Sequence, residues 1–248
     1  MSTLPLSGKK ALVTGASRGI GAAIAKRLAA DGASVAITYS SSAGKADEVV
    51  AEITAAGGKA VALKADSAEA EAVIGAVKDT VAKLGGIDIL VNNAGIAAMA
   101  TPEEFKLEDF DRQLAINVRA VWIGTQEALR HMGKGGRIIT IGSTMGDRSG
   151  FANSGPYSMT KSAVAGLTRG LAHDLGPRGI TINTVQPGPI ATDMNPADGP
   201  QAEFMHSMLA IKRHGKGSEV ASLVAYLCTE DAAFITGASL NVDGGFAA

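Results

Sequence analysis

Tyr157 and Lys161, a phenol and an ammonium four residues apart in SGPYSMTKSA (154–163), form the pair in this chain best suited to proton chemistry. On a helix that spacing puts both groups on one face, within reach of a shared ligand. A cation beside a tyrosine favours phenolate over phenol and draws its pKa from about 10 towards neutrality, where the group can exchange protons with a substrate oxygen. The same spacing also arises by accident on soluble helices. The pair therefore needs a cofactor, an oxyanion partner and a pocket supplied from elsewhere in the chain.

The helix that must carry the pair is bounded in the sequence. Ser154 is placed to cap it, Pro156 suits its first turn, and Gly176–Pro177 ends it. Its Ala163, Ala165, Gly166 and Gly170 would let another helix approach closely, either a core helix of the same chain or a second subunit. Seven short β-rich runs alternate with helical stretches: KALVT (10–14), SVAITY (34–39), KAVALKA (59–65), IDILVN (87–92), GRIITIG (136–142), ITINTVQ (180–186) and SLNVD (239–243). Near-continuous apolar strands, each followed by a helix, predict an α/β fold with a parallel sheet covered on both faces. Glycines at Gly32, Gly57–Gly58, Gly85–Gly86 and Gly135–Gly136 mark the returns from helix to strand. No linker, repeat or composition shift interrupts the series, so residues 1–248 read as one domain.

Composition narrows the function. A net charge of -1 and a pI near 6.4 carry no electrostatic footprint for nucleic acid or an anionic membrane, and neither is expected as a partner. The single cysteine, Cys228, in apolar LVAYLCTE, reads as a packed thiol in a reducing compartment. The N-terminal MSTLPLSGKK lacks an apolar export signal, so a cytoplasmic location is expected. Four histidines, at His131, His173, His206 and His214, have no ligand cluster at metal spacing, and no bound metal is expected.

Directly after the first run comes TGASRGIG (14–21), opening into an amphipathic helix. Gly15 permits a tight turn, Gly19 and Gly21 allow close approach to a pyrophosphate, and the helix N-terminus offers unpaired N–H groups with partial positive charge. After the second run, where a carboxylate would bind the ribose 2′-OH of NAD, the chain has TYSSS (38–42). Hydroxyls of Tyr39, Ser40 and Ser41, with the Arg18 guanidinium, instead favour the 2′-phosphate of NADPH, the alternative being a polar loop and a solvated arginine.

TGASRGIG, NNAG (92–95), Asn117, Ser143 and YSMTK (157–161), in this order, resemble the short-chain dehydrogenase/reductase family, and the likeness continues through QPGPIATDM (186–194) and VDGG (242–245). The resemblance implies a doubly wound Rossmann domain with a seven-stranded parallel sheet and a homotetramer. It implies that Tyr157 is the acid that protonates a carbonyl oxygen, Lys161 lowers its pKa and holds the nicotinamide ribose, Ser143 stabilises the oxygen's developing charge, and Asn117 holds a water linking Lys161 to solvent. It places NADP(H) against Gly15, Ser17, Arg18, Gly19, Ile20 and Gly21, and assigns the adenine to Asp66 with Ser67. Asn93, Ala94 and Gly95 would wall the cofactor, with Pro187, Gly188, Ile190 and Thr192 at its carboxamide end.

The expected activity is the reversible reduction of a ketone or other carbonyl compound to a secondary alcohol. The segment 188–215 carries Met194, Phe204, Met205, Met208 and Leu209, and would form either an apolar substrate lid or a packed surface helix. Reduction of a 3-oxoacyl group on an acyl-carrier protein is the neighbouring activity. It is disfavoured by ANSGPY before the tyrosine and by His173–Asp174, where those reductases often place an arginine for the acidic carrier. Lyase or epimerase chemistry with the same cofactor, and a non-catalytic nucleotide-binding regulator, are the readings from other classes; a regulator has no need of Asn117, Ser143, Tyr157 and Lys161 together.

Overall fold

The computed structural model describes residues 4–193 and 195–248. Met194 of the expected lid and the first three residues of the N-terminal stretch lie outside the described residues. The strands are β1 (Lys10–Val13), β2 (Ser34–Tyr39), β3 (Lys59–Lys64), β4 (Ile89–Asn92), β5 (Arg137–Ile141), β6 (Thr181–Pro187) and β7 (Ser239–Val242). The principal helices are α1 (Gly19–Ala30), α2 (Ala43–Ala55), α3 (Ala70–Leu84), α4 (Leu107–Leu114), α5 (Ala120–Ala128), α6 (Gly155–Leu175), α7 (Ala202–Ser207) and α8 (Gly217–Leu227). Each expected run is a strand, displaced by no more than a residue or two at its ends.

All seven strands form one parallel sheet in the order β3-β2-β1-β4-β5-β6-β7. Every position of β4, β5 and β6 is buried, which is why these strands do not alternate between apolar and polar residues. Two polar side chains in the middle of β6 find partners, whereas Thr181 Oγ1 and Gln186 Oε1 have none among the described residues. Asn183 Nδ2 donates to Ile235 O at 2.7 Å, and the Thr168 and Thr184 hydroxyls lie 2.8 Å apart. On one face of the sheet, Ile24 and Leu28 of α1 and Val220 and Val224 of α8 pack on Val13, Ile37 and Ile139. On the other, Val77 of α3, Ala128 of α5 and Leu175 of α6 pack on Leu12, Leu90 and Ile138.

The chain winds outwards from β1 to β3, then crosses back to place β4 on the other side of β1. Helices on either side of that reversal diverge, leaving a crevice beyond the carboxyl ends of β1 and β4, where open α/β sheets bind ligands.

Two expected helix boundaries differ in detail. Ser154 stands at the N-cap of α6 without capping it, because its hydroxyl donates to Phe151 O at 2.7 Å and meets Ser149 Oγ at 2.8 Å. Gly176 keeps a right-handed conformation. Pro177, which lacks an N–H to lose, is accommodated in a 3-10 turn over Gly176–Arg178, and Gly179, with φ of 67°, makes the left-handed stop.

Candidate active site

Tyr157 lies on the first turn of α6, and Lys161 follows one turn later on the same face. Ser143 follows β5 and starts a short 3-10 turn, its hydroxyl accepting from Met145 N at 3.2 Å. The Ser143 side chain stands close enough to Tyr157 to act on its phenol, drawing its pKa down. Lys161 is buried, donates to Ile141 O at the end of β5 at 3.0 Å, and lies 5.6 Å from the centroid of the Tyr157 ring.

Asn117 enters from a different direction. Between α4 and α5 the helix widens into a π turn over Ala115–Arg119, closed by Ala120 N–H donating to Ala115 O. Such turns concentrate at functional sites. Asn117 Oδ1 accepts from Ile96 N at 2.9 Å, and its Nδ2 donates to Ile96 O at 2.9 Å and to Thr160 Oγ1 at 3.1 Å. One carboxamide thus joins the loop after β4 to α6. A Cβ built on Gly95 would stand 3.4 Å from both Asn117 Oδ1 and Lys161 Nζ, so the four candidate catalytic residues converge at the carboxyl ends of β4 and β5.

The electrostatics differ from the simple expectation for a Tyr–Lys pair. Burial pushes the Tyr157 phenol above its ordinary pKa, and the group that pulls it back down is Ser143. Burial also pushes the Lys161 ammonium down, to about 8. The two groups share one desolvated face, so each loses hydration before it benefits from the other. The Lys161 ammonium is bonded to the Ile141 carbonyl and lies over the Tyr157 ring.

The glycine-rich turn is held by Asn93 together with two threonine hydroxyls at the strand ends. Thr14 Oγ1 accepts from both Asn93 N and Ala94 N at 3.0 Å. Asn93 Nδ2 returns bonds to Thr14 O at 2.8 Å and Gly15 O at 3.0 Å, while Gly15 N donates to Thr38 Oγ1 at 2.9 Å. Gly15 has φ of 61°, and a Cβ there would lie 2.8 Å from Ala94 Cα; one on Gly21 would lie 2.5 Å from Asn93 Nδ2. Asn93, Ala94 and Gly15 therefore form one closely packed floor.

At the far end of the crevice, Ser40 and Ser41 are exposed and Tyr39 packs partly on the core. Arg18 is the N-cap of α1 in extended conformation, and its guanidinium lies 3.7 Å from Asp193 Oδ2. Lys45, in the first turn of α2, bonds the same oxygen at 3.1 Å. Lys45 stands on the helix that follows TYSSS, where nothing local in the sequence ties it to Asp193. Asp66 accepts from Ala68 N at 2.9 Å and lies 3.7 Å from Arg112, with Ser67 beside it.

On the opposite wall, Gly188 N donates to Val242 O at 3.1 Å, and a Cβ on Gly188 would lie 2.8 Å from Asp243 Cα. Pro187 O accepts from Thr144 Oγ1 at 3.3 Å. VDGG is thus the support for the Pro187–Gly188 turn. The Ile190 side chain is buried in the core, whereas the Thr192 methyl approaches Gly19 across the opening. Within the expected lid, Phe204 on α7 is exposed and makes an edge contact with Phe151 at 6.2 Å, whereas Leu209 is buried.

Comparison with known proteins agrees with this geometry. The family described as Enoyl-(Acyl carrier protein) reductase matches residues 15–247. A short-chain dehydrogenase from Burkholderia cenocepacia J2315, crystallised in complex with NADP, superposes with a TM-score of 0.97 at 52% identity, covering 98% of this chain and 100% of that one. The chain belongs to the short-chain dehydrogenase/reductase family. Other family members it resembles include the cyclic-di-GMP-binding biofilm dispersal mediator protein of Escherichia coli K12, 49% identical over 242 residues and covering 98% of each chain. A 3-oxoacyl-[acyl-carrier-protein] reductase of Synechocystis is 43% identical over 243 residues, covering 97% of each.

The residues of this family member fit a dinucleotide on structural grounds of their own. The N-terminus of α1 has no side-chain cap and no acidic residue in its first turn, so its N–H groups and partial positive charge are available to a pyrophosphate. Glycine at position 95 keeps side-chain atoms off Lys161 Nζ and Asn117 Oδ1, each of which a Cβ there would approach to 3.4 Å. Among the described residues no group of three or more His, Cys, Asp or Glu could hold a metal ion, and no helix is long and apolar enough to cross a membrane.

Proposed function

We propose that this protein is an NADPH-dependent oxidoreductase that reversibly reduces a ketone or related carbonyl compound to a secondary alcohol, with Tyr157 as general acid. The observation that carries this reading is the convergence of Tyr157, the buried Lys161 under its ring, Asn117 and Ser143 at the carboxyl ends of β4 and β5. A carbonyl oxygen placed between the two hydroxyls accepts a bond from each, which stabilises the negative charge it develops. The Tyr157 proton then moves to that oxygen, and returns when the alcohol is oxidised. NADPH, when bound, supplies the hydride. Lys161 holds the nicotinamide ribose, Asn117 fixes the loop after β4 against α6 beside it, and Gly15, Gly19 and Gly21 bring the backbone up to the pyrophosphate. A panel of ketones and alcohols followed by NADPH absorbance tests the reading. Loss of absorbance with small to medium apolar ketones is expected, and no turnover across the panel overturns it.

Arg18 and the hydroxyls after β2 support the choice of NADPH. Tyr39→Asp is expected to move preference towards NADH, because a carboxylate accepts a bond from a free 2′-OH and repels a phosphate. Arg18→Ala removes the opposing attraction. Each change should shift the ratio of kcat/KM for the two cofactors by roughly ten- to a hundredfold, since a charge-assisted contact contributes about 1.5–3 kcal/mol. An unmoved ratio in both variants contradicts the assignment.

The E. coli relative's name favours one other reading, a nucleotide-binding regulator. Binding of cyclic di-GMP that excludes NADPH, without turnover of any carbonyl compound, would establish it. The Synechocystis relative keeps a carrier-linked substrate in view, and a comparison of free and carrier-bound 3-oxoacyl substrates decides that point.

A homotetramer in the cytoplasm completes the proposal. Ala163 and Gly170 are exposed on α6, and a Cβ on Gly170 would meet nothing within 4 Å, leaving that face open to its copy across a two-fold axis. Light scattering is expected to give four times the chain mass of 25.1 kDa, and a monomer at micromolar concentration contradicts it.

A further inference from the structure

Asp193 belongs to the segment after β6 that borders the substrate side, yet its carboxylate reaches the opposite end of the crevice. There one oxygen, Oδ2, takes Lys45 Nζ at 3.1 Å and the Arg18 guanidinium at 3.7 Å. The two cations come from different elements, the glycine-rich turn and the first turn of α2, and the exposed Ser40 and Ser41 lie in the segment that leads from β2 into α2. All three charged side chains are about half exposed or more, so the contacts can exchange with solvent or a ligand. Lys45 and Arg18 both hold the Asp193 carboxyl below its ordinary pKa.

We propose that Asp193 occupies the position of the cofactor's 2′-phosphate, with Lys45 as the second cation of that site, so that the phosphate binds by displacing the carboxylate. The inference rests on the NADPH reading above. A phosphate monoester carries nearly twice the charge of a carboxylate and three acceptor oxygens, so it replaces one shared oxygen with separate contacts to Arg18, Lys45 and the serine hydroxyls. NADH has no group that competes with Asp193 and leaves the ion pairs in place. The exchange also frees the segment around Asp193 when the phosphorylated cofactor enters, so binding at the adenosine end loosens a wall of the substrate side. Because the carboxylate and the phosphate compete, the apparent affinity for NADPH is lowered by the fraction of molecules in which Asp193 holds the cations.

The test measures binding without turnover. Dissociation constants for NADPH, NADH, adenosine 2′,5′-bisphosphate and adenosine 5′-monophosphate are determined by calorimetry at low ionic strength for wild type, Asp193→Asn, Lys45→Ala and Arg18→Ala. Asp193→Asn is expected to tighten NADPH and the bisphosphate about two- to fivefold, the range set by exposed ion pairs, with NADH and the monophosphate unchanged. Lys45→Ala should weaken the two phosphorylated ligands roughly tenfold and spare the others. If Asp193→Asn moves all four ligands equally, moves none, or weakens the phosphorylated pair, Asp193 is not the stand-in. If Lys45→Ala leaves the phosphorylated pair unchanged, Lys45 is not the second cation. Preference for NADPH that depends on Arg18 but on neither Asp193 nor Lys45 overturns this inference alone. No preference for NADPH in wild type overturns the cofactor reading beneath it.

Discussion

Tyr157→Phe is expected to lower carbonyl reduction by roughly 10²- to 10⁴-fold while NADPH binds within a few-fold of wild type. The substitution removes one oxygen and keeps the ring, so the first turn of α6 and the packing beside Lys161 persist. What disappears is the proton donor and one of two hydrogen bonds to the developing oxyanion. Burial strengthens the expectation. Burial raises the phenol's pKa further from neutrality, so at neutral pH it holds the proton that reduction needs. Ser143 supplies a hydroxyl but is far too weak an acid to replace it. Paired measurements of kcat and of NADPH affinity check the result, and near wild-type turnover would remove Tyr157 from the mechanism.

Lys161→Met is expected to lose turnover by a comparable factor and to weaken NADPH as well, because one ammonium serves both the ribose and the proton-transfer site. Stability should move the other way. The Lys161 pKa of about 8 lies below the unfolded-chain value of about 10.4. Below pH 8 both states carry the proton and the native state bears the cost of a buried charge. Between about 8 and 10.4 only the unfolded state remains protonated, so this group's contribution to stability improves as pH rises through that window. Methionine keeps the stem and removes the charge, so the variant should melt at or above the wild-type temperature at pH 7. A variant that melts well below wild type would mean Lys161 is chiefly a packing residue. In wild type, kcat/KM should decline as pH rises through about 8, where the free enzyme loses its ammonium.

The sheet was legible in the sequence because buried parallel strands are apolar throughout and glycines punctuate the returns between helix and strand. The same holds for the glycine-rich turn and the Tyr157–Lys161 face, where short-range spacing carries the meaning. Other features had no local signal. Thr14 and Thr38 lie at strand ends, where a β-branched residue is unremarked, yet their hydroxyls organise the floor of the crevice. Lys45 and Asp193 are separated by 148 positions, and only the fold brings them together. Ile190 matched the family pattern as a cofactor residue, but its side chain is committed to the core, since periodicity is silent about which atoms of a loop residue face a cleft. Ser154 had the residue type of a cap but bonds the preceding loop instead. The expectation that Lys161 alone sets the acidity of Tyr157 omitted hydration, because adjacency along a helix says nothing about how much water both groups give up.

The widened turn at Ala115–Arg119 has a geometric consequence for everything after it. An ordinary helix advances about 100° per residue, whereas a turn closed over five residues absorbs one residue with almost no added length. The whole of α5 is therefore out of phase by one position with the helix that α4 alone would have continued. Gln113 and Asn117, four positions apart, face the loop after β4, bonding Ala98 and Ile96, while the offset sets the phase in which Ala128 at the far end meets the sheet. In insertion and deletion terms, the turn is a register key. A chain shortened by one residue there could keep a regular helix and an intact core, but it could not align both ends at once, and the carboxamide beside Lys161 would be the feature to lose its place.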